Sequence, residues 1–220
     1  MMATTHGFAA LAAAAVVAAL VPESVPVLAA DTLAVSSVSD PTTAEGVPAS
    51  ALVPAMAAGA LVGGLAPDLD VFLDHRRSLH FPVYYPLLSV PAIAVAVLVP
   101  APATVGLAAV LLGATLHTTM DVVGGPLAVR PWEGGSRAVY SHYHGRWLAP
   151  RRWIGYDGAP ADLALSAVLA VPALIVFGAA IEPVVVAMLA VSVGYATGRG
   201  RVATLLERLG VAFDPGSGRR

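Results

Sequence analysis

One ionisable pair lies at helical spacing inside an otherwise apolar segment. His117 and Asp121 are four positions apart at the end of an uncharged run. Residues i and i+4 share one face of a helix, so an imidazole and a carboxylate placed there can reach the same cation. The sequence contains no cysteine, so any metal ion must be held by His, Asp or Glu. The pair predicts part of a metal site. The alternative is that Asp121 ends the helix and His117 forms a hydrogen bond within it.

A denser group of the same residue types follows an uncharged run over 46–67. Ionisable side chains beside long apolar runs are costly unless they are paired or bound to a metal. A simple charged turn would account for the two arginines in this segment, but not for its Asp and His residues. We therefore predict that at least two of the following are metal ligands: Asp68, Asp70, His75 and His80. Asp70 is interpreted as a ligand, an orienting partner of an imidazole, or a general base.

The remaining histidines are ambiguous when taken singly. His6 precedes the first apolar run, where a lone histidine is usually an interfacial residue, so its assignment as a ligand depends on the other candidates. His142 and His144 lie among arginines and aromatic residues, which fits either contact with an anionic substrate or a solvated loop. Arg76 is a candidate for neutralising a substrate phosphate, although anchoring to the membrane surface is the commoner role of such an arginine.

The elements that position these residues are predicted to be membrane helices. The 220 residues are 57% hydrophobic and 12% charged, with a mean hydropathy of +0.78, against roughly 25% charged residues in soluble domains. Long uncharged runs indicate an all-α, multi-pass transmembrane bundle of about six spans. The spans are predicted near 5–22, 48–67, 82–99, 103–120, 162–181 and 183–198. Residues 199–220 are predicted to form a basic amphipathic tail.

The loop charges predict an orientation for this bundle. With six spans, all twelve arginines and all six histidines fall on one side, and the chain has no lysine. By the positive-inside rule that side is cytoplasmic, with both termini there, while 22–50 forms an outer loop. The first run could instead be a secretory signal peptide. Residues 1–20 contain no Lys or Arg, which favours a retained helix.

Several function classes are disfavoured by composition and motifs. A net charge of −2 with a pI near 6.3 gives no reason to expect a nucleic-acid partner. The sequence lacks G-x-S-x-G, P-loop and G-x-G-x-x-G motifs. A carrier for metal ions would place ionisable residues near the bilayer midplane, and the predicted spans hold almost none. The predicted partners are the lipid bilayer and a phosphoester substrate.

The order of these motifs resembles the YdjM-like family of membrane-bound metal-dependent hydrolases, known from a LexA-regulated inner-membrane protein. The resemblance covers about residues 1–125, through His6, the Pro67-Asp68-Leu69-Asp70 turn, the His75-Arg76-x-x-x-His80 element and the His117-x-x-x-Asp121 pair. That family is distantly similar to zinc-dependent phospholipase C. The chain departs from the family at Leu79 and Phe81, where hydroxyl residues are frequent.

These features together predict hydrolysis of a phosphoester, such as a phospholipid headgroup, at the cytoplasmic face. One or two divalent ions, zinc or alternatively manganese, would be held by His6, Asp68, His75, His80, His117 and Asp121. Asp70 and Arg76 are the predicted catalytic side chains. The alternative class is a membrane protein with a structural metal site, or a metal-ion carrier.

Overall fold

A computed structural model of the protein describes residues 1–25 and 46–210. Over these residues the chain is mostly helical. Its six α-helices are Ala3–Leu20 (α1), Ala49–Leu65 (α2), Tyr84–Leu98 (α3), Pro102–Val123 (α4), Pro160–Phe177 (α5) and Glu182–Arg208 (α6). Short 3-10 helices cover Ala66–Phe72 and Gly178–Ala180. Two antiparallel strand pairs join Ser24–Val25 (β1) to Val47–Pro48 (β2), and Val139–Ser141 (β3) to Arg146–Leu148 (β4).

Five helical segments are long and apolar enough to cross a membrane, and the sixth helix is shorter. The five are Ala3–Leu20, Ala49–Phe72, Pro102–Val123, Pro160–Ala180 and Glu182–Arg208. Helix α3 has 15 residues, fewer than the roughly 20 that a bilayer requires. The helices follow the six predicted runs in order, and α4 begins with Pro102, since proline is well suited to the first position of a helix.

The last helix differs in length from its predicted span. It continues past residue 198 to Arg208, because Gly198 and Gly200 lower helix propensity without preventing hydrogen bonding along the backbone. Part of the segment predicted as a basic tail is thus the end of α6. Residues 211–220 of that tail, and 26–45 of the predicted outer loop, lie outside the described residues.

Helices α2 and α4 pack backbone to backbone through glycines. A side chain at Gly63 would overlap the carbonyl oxygen of Val110, and one at Gly113 would come within 2.8 Å of the oxygen of Ala60. Small residues allow this close approach between membrane helices. One turn further along α4, the approach brings Nδ1 of His117 to 2.8 Å from the oxygen of Gly64. The glycine contacts therefore set the position of a predicted metal ligand.

Substitution of Gly63 by alanine is expected to destabilise the protein, because the added methyl group must push α2 away from α4. Overpacking of this kind costs about 1–3 kcal/mol. Gly194 of α6 has open space around its Cα, so Gly194→Ala should leave stability unchanged or higher. Thermal unfolding in detergent compares the two variants. Equal melting temperatures would contradict the close α2–α4 contact.

A buried hydrogen-bond network fixes the beginning of α1, which carries His6. Asp162 of α5 is fully buried, and its carboxylate accepts hydrogen bonds from the backbone N–H groups of Met2 (2.8 Å) and Gly158 (3.0 Å) and from the hydroxyl of Thr5 (2.7 Å). Buried carboxylates require such partners. Sequence analysis used Asp162 only as the limit of a span, whereas the structure makes it an anchor of α1.

Successive helices alternate in direction, so one end of the bundle collects the predicted site. Helices α1, α3 and α5 begin at this end, and α2, α4 and α6 finish there. The hydroxyls of Thr5 and Ser166, near the starts of α1 and α5, lie 2.6 Å apart. We call this the site end. The described arginines all lie in segments at the site end: Arg76, Arg77, Arg130, Arg137, Arg146, Arg151, Arg152, Arg199, Arg201 and Arg208.

Candidate metal centre

Four of the predicted ligands meet at the site end. His6 comes from α1, Asp68 from the 3-10 helix after α2, and His117 and Asp121 from α4. Each offers one ligand atom, and these atoms all lie within 4.8 Å of one another. Nε2 of His117 is 3.4 Å from Oδ1 of Asp68 and 3.4 Å from Oδ2 of Asp121. Nε2 of His6 is 3.4 Å from Oδ1 of Asp121. Together they form a group that could hold a metal ion.

A third imidazole borders the same group. Nε2 of His80 lies 3.1 Å from Nε2 of His117 and 3.2 Å from Oδ2 of Asp121. It is 3.9 Å from Oδ1 of Asp68. His80 precedes α3 in the chain, so a fourth segment contributes to the centre. The geometry therefore supports His80 as an additional ligand beside the central four.

Two of the three imidazoles are held through their Nδ1 atoms. Nδ1 of His117 donates to the carbonyl oxygen of Gly64 at 2.8 Å, and Nδ1 of His80 donates to Oδ2 of Asp70 at 2.8 Å. Since these oxygens can only accept, Nδ1 carries a proton in both rings, and both Nε2 atoms face the group. This is the arrangement in which carbonyls and carboxylates orient metal-binding histidines.

Asp70 orients neighbouring groups and does not face the centre. Its carboxylate is fully buried and accepts from Nδ1 of His75 and of His80, both at 2.8 Å. Three backbone N–H groups, of Arg76, Arg77 and Leu79, also donate to it at 3.2 Å. Of its three predicted roles, the contacts favour orientation. His75 lies on the far side of this carboxylate and outside the four-residue group.

Arg76 places a positive charge directly against the centre. Its Nη2 is 3.0 Å from Oδ1 of Asp121, and its Nη1 donates to the oxygen of Gly125 at 3.1 Å. Its backbone has a φ of 57°, in the left-handed region that non-glycine residues seldom adopt. Burial lowers the pKa of Arg76, but the carboxylates of Asp121 and Asp157 outweigh burial and raise it. The guanidinium is therefore charged.

The donors present fit a divalent metal ion. Nitrogen and oxygen ligands without sulfur suit zinc or manganese. Zinc–nitrogen bonds of about 2.0–2.1 Å in a tetrahedron separate neighbouring ligand atoms by roughly 3.3 Å. The shortest contacts of the group, 3.4 Å, are close to this value, and its ligand atoms all lie within 4.8 Å of one another. His6 is fully buried, and neither of its ring nitrogens has a hydrogen-bond partner in the part of the chain described. A network of ion pairs alone leaves both nitrogens of His6 without a hydrogen bond, whereas a metal ion would take one of them as a ligand.

The pair His142 and His144 is not part of this centre. Both lie at the turn between β3 and β4, where Nε2 of His142 bonds to the oxygen of Arg77 at 2.7 Å and Nδ1 of His144 lies 2.8 Å from the hydroxyl of Ser141. His144 makes a contact within the hairpin, and His142 links the hairpin to the segment that carries Arg77.

Sequence analysis missed a second polar group beside the centre. The carboxylate of Asp157 accepts from Nε of Arg199 at 3.0 Å and from the hydroxyl of Tyr195. Tyr195 and Arg199 are four apart on α6, and this spacing is a signal that sequence analysis could have used. Asp157 comes from an irregular loop, so spacing alone could not bring it to them.

Two cavities lie within the bundle. One, of about 310 Å³, is at the site end and is bordered by Asp68, Arg76, Asp157, Tyr195, His75 and Thr4 together with apolar residues. The other, of about 280 Å³, lies between α1, α2, α3 and α4 and has no ionisable residue in its lining. Of these two cavities, the first combines space with polar groups beside the centre.

Comparison with protein-family models, with curated proteins and with solved structures finds no match to this chain. The resemblance to the YdjM-like family stays a prediction. The candidate centre is therefore defined by its own geometry and chemistry.

Proposed function

We propose that this protein is an integral-membrane, metal-dependent hydrolase that cleaves phosphoesters at the cytoplasmic face. One observation carries the proposal: His6, Asp68, His117 and Asp121 converge from three helical segments, and the buried ring of His6 has no hydrogen-bond partner among the described residues. Zinc is the proposed ion, with manganese as the alternative. The order of motifs shared with the YdjM-like family supports the same activity.

Three side chains, Asp68, Arg76 and Asp70, have proposed parts in the reaction beside the bound ion. A bound divalent ion would supply Lewis acidity toward a phosphoryl oxygen and lower the pKa of water. The water oxygen forms a bond to phosphorus while the ester P–O bond breaks. Asp68 is the ligand placed at the cavity to take the proton of the water, and the departing alkoxide takes a proton from solvent. Arg76 balances the negative charge at phosphorus, and Asp70 holds His80 in place.

The length of the apolar helices and the distribution of the arginines support the membrane location. Five helices are long and apolar enough to span a bilayer, and the arginines at the site end favour a cytoplasmic position for that end by the positive-inside rule. A site there would meet the headgroups of the inner leaflet, so a phospholipid or a related amphiphile is the proposed substrate.

A structural metal site is the second candidate function. Structural sites are closed, whereas catalytic sites keep one coordination position open. The side chains of His6, His117 and Asp121 are 0% exposed, but that of Asp68 is 20% exposed and borders the 310 Å³ cavity. This opening favours a catalytic site.

Hydrolysis assays on purified protein test the proposal. A tag belongs at the C-terminal end, because Met1 and Met2 are buried. The protein, loaded with Zn²⁺ or Mn²⁺ in detergent, should hydrolyse a phosphomonoester, a phosphodiester or a phospholipid, and Asp121→Ala should lose this activity. Stoichiometric metal without hydrolysis of any of these would instead support the structural site.

A further inference from the structure

We infer that the cavity bordered by Asp68, Arg76, Asp157 and Tyr195 binds the phosphate group of an amphiphilic substrate and that its rim receives the apolar part. We call it the anion cavity. This inference rests on the proposed function and adds to it the entry route and the place where each part of the ligand binds. Its volume of about 310 Å³ is at the lower end of small-molecule sites, which run from about 300 to 1,000 Å³.

The anion cavity is the side from which the centre is reached. Of the four central ligands, three have fully buried side chains, and Asp68 is partly exposed. Asp68 also lines the anion cavity, as does Arg76. A ligand approaching the centre past Asp68 therefore enters through this cavity.

Arg76 supplies a donor with no partner. The residue is 5% exposed, its Nη1 and Nη2 are engaged by Gly125 and Asp121, and its Nε makes no hydrogen bond to any residue the structure describes. A buried, unpaired N–H of a charged group is unfavourable. Arg76 lines the cavity, and arginine suits phosphate oxygens because its donors are planar and fixed.

Asp157 and Tyr195 form another part of the cavity lining. Asp157 is neutralised by Arg199, whose Nε lies 3.0 Å from its Oδ2, and Tyr195 donates its hydroxyl to the same oxygen. Asp157 thus adds no unpaired negative charge to the cavity. Arg76 is paired with Asp121 in the same way and Asp68 is negative, so a divalent ion on Asp68 is what would make the cavity favour an anion over a cation.

The rim of the cavity indicates an apolar portion in the ligand. Val71 and Val191 line the cavity and are 50% and 60% exposed. Val191 lies on α6, which is apolar and long enough to span a membrane. An exposed valine on such a helix faces hydrocarbon, so a phosphate carried on a lipid can place its head in the cavity and its chains outside. A free phosphate would share the head contacts only.

A matched pair of tryptophan variants tests the anion cavity. Val191→Trp should block the rim, whereas Val193→Trp adds the same bulk two residues further on at a position that is 49% exposed and outside the lining. Isothermal titration measures binding of inorganic phosphate and of dihexanoyl phosphatidic acid, with and without Zn²⁺. We expect Val191→Trp to weaken the binding of both ligands by about tenfold or more. Val193→Trp should bind both as the wild type does, and both variants should keep the wild-type metal content. Tighter binding of the lipid than of phosphate supports the amphiphile.

The outcomes separate this inference from the proposed function. Wild-type affinity in Val191→Trp, or equal losses in both tryptophan variants, overturns the anion cavity, and retained hydrolysis would then leave the proposed function standing. A second pair addresses the donor: Arg76→Lys keeps the charge but removes Nε–H and should weaken phosphate binding, while the exposed Arg130→Lys should not. If the wild-type protein neither binds metal nor hydrolyses any of the substrates, the proposed function is contradicted, whatever the binding data show.

Discussion

Replacement of His117 by alanine should abolish metal retention and reduce hydrolysis by about a thousandfold or more. His117 is central to the group, since its Nε2 lies within 3.4 Å of donor atoms of Asp68, His80 and Asp121. Its removal takes away the imidazole that lies 3.4 Å from both Asp68 and Asp121. Metal analysis after dialysis and initial rates under saturating Zn²⁺ measure the two effects separately.

His142 provides the matched control for this variant. It is exposed, lies on the hairpin between β3 and β4, and bonds to the backbone of Arg77. His142→Ala should therefore keep both metal and activity. If the two alanine variants retain metal equally, the assignment of His117 as a ligand is wrong.

Replacement of Asp70 by alanine should weaken metal binding although Asp70 is not a central ligand. Its carboxylate fixes the rings of His75 and His80 and accepts three backbone N–H groups. Loss of a partner that orients a metal-binding histidine costs about 10–100-fold in metal affinity. Competition with a chelator of known zinc affinity measures the change. The backbone donors left unpaired should also lower the melting temperature.

Asp74 serves as the control for Asp70. Its side chain is 73% exposed and forms an ion pair with Arg77 at 3.7 Å, which contributes little at a surface. Asp74→Ala should keep zinc affinity, so equal affinities in both variants would argue against an orienting role for Asp70. Asp70→Asn refines the test, because an amide keeps the side-chain volume and one acceptor oxygen.

Much of the candidate site could be predicted from the spacing of residues within short segments. The i, i+4 relation of His117 and Asp121 predicts a shared helical face, and the structure places both side chains in one buried group. Asp68 and Asp70 are separated by one residue in a 3-10 helix, so only one of them faces the centre. Sequence analysis left the roles of Asp70 open because alternation alone does not say which carboxylate points inward.

Residue spacing could not predict the contacts that depend on how the chain packs. His75 and His80 both follow Asp70 in the sequence, and only the turn that wraps their rings around its carboxylate directs Nε2 of His80 toward His117. The anion cavity requires Asp157 from a loop and Tyr195 from α6, 38 positions apart. Such pairings depend on how helices pack, which hydropathy does not encode.

The helices themselves were largely predictable because apolar runs bounded by charges or prolines define them. Besides the longer α6, α3 is an exception, because the predicted run 82–99 yields a helix of 15 residues. Val99 has an irregular backbone and precedes Pro100, and a residue before proline is disfavoured in helical conformation. A count of uncharged residues therefore overestimates this helix.

Metal content of the purified protein tests the central claim most directly. Wild-type protein with a C-terminal tag, purified in detergent and dialysed after incubation with Zn²⁺, should retain about one ion per chain or more. The double variant Asp68→Ala/His117→Ala, which removes two of the four central ligands, should retain almost none while remaining monodisperse. Near-zero metal in both proteins, or equal occupancy in both, would contradict a metal centre at these residues.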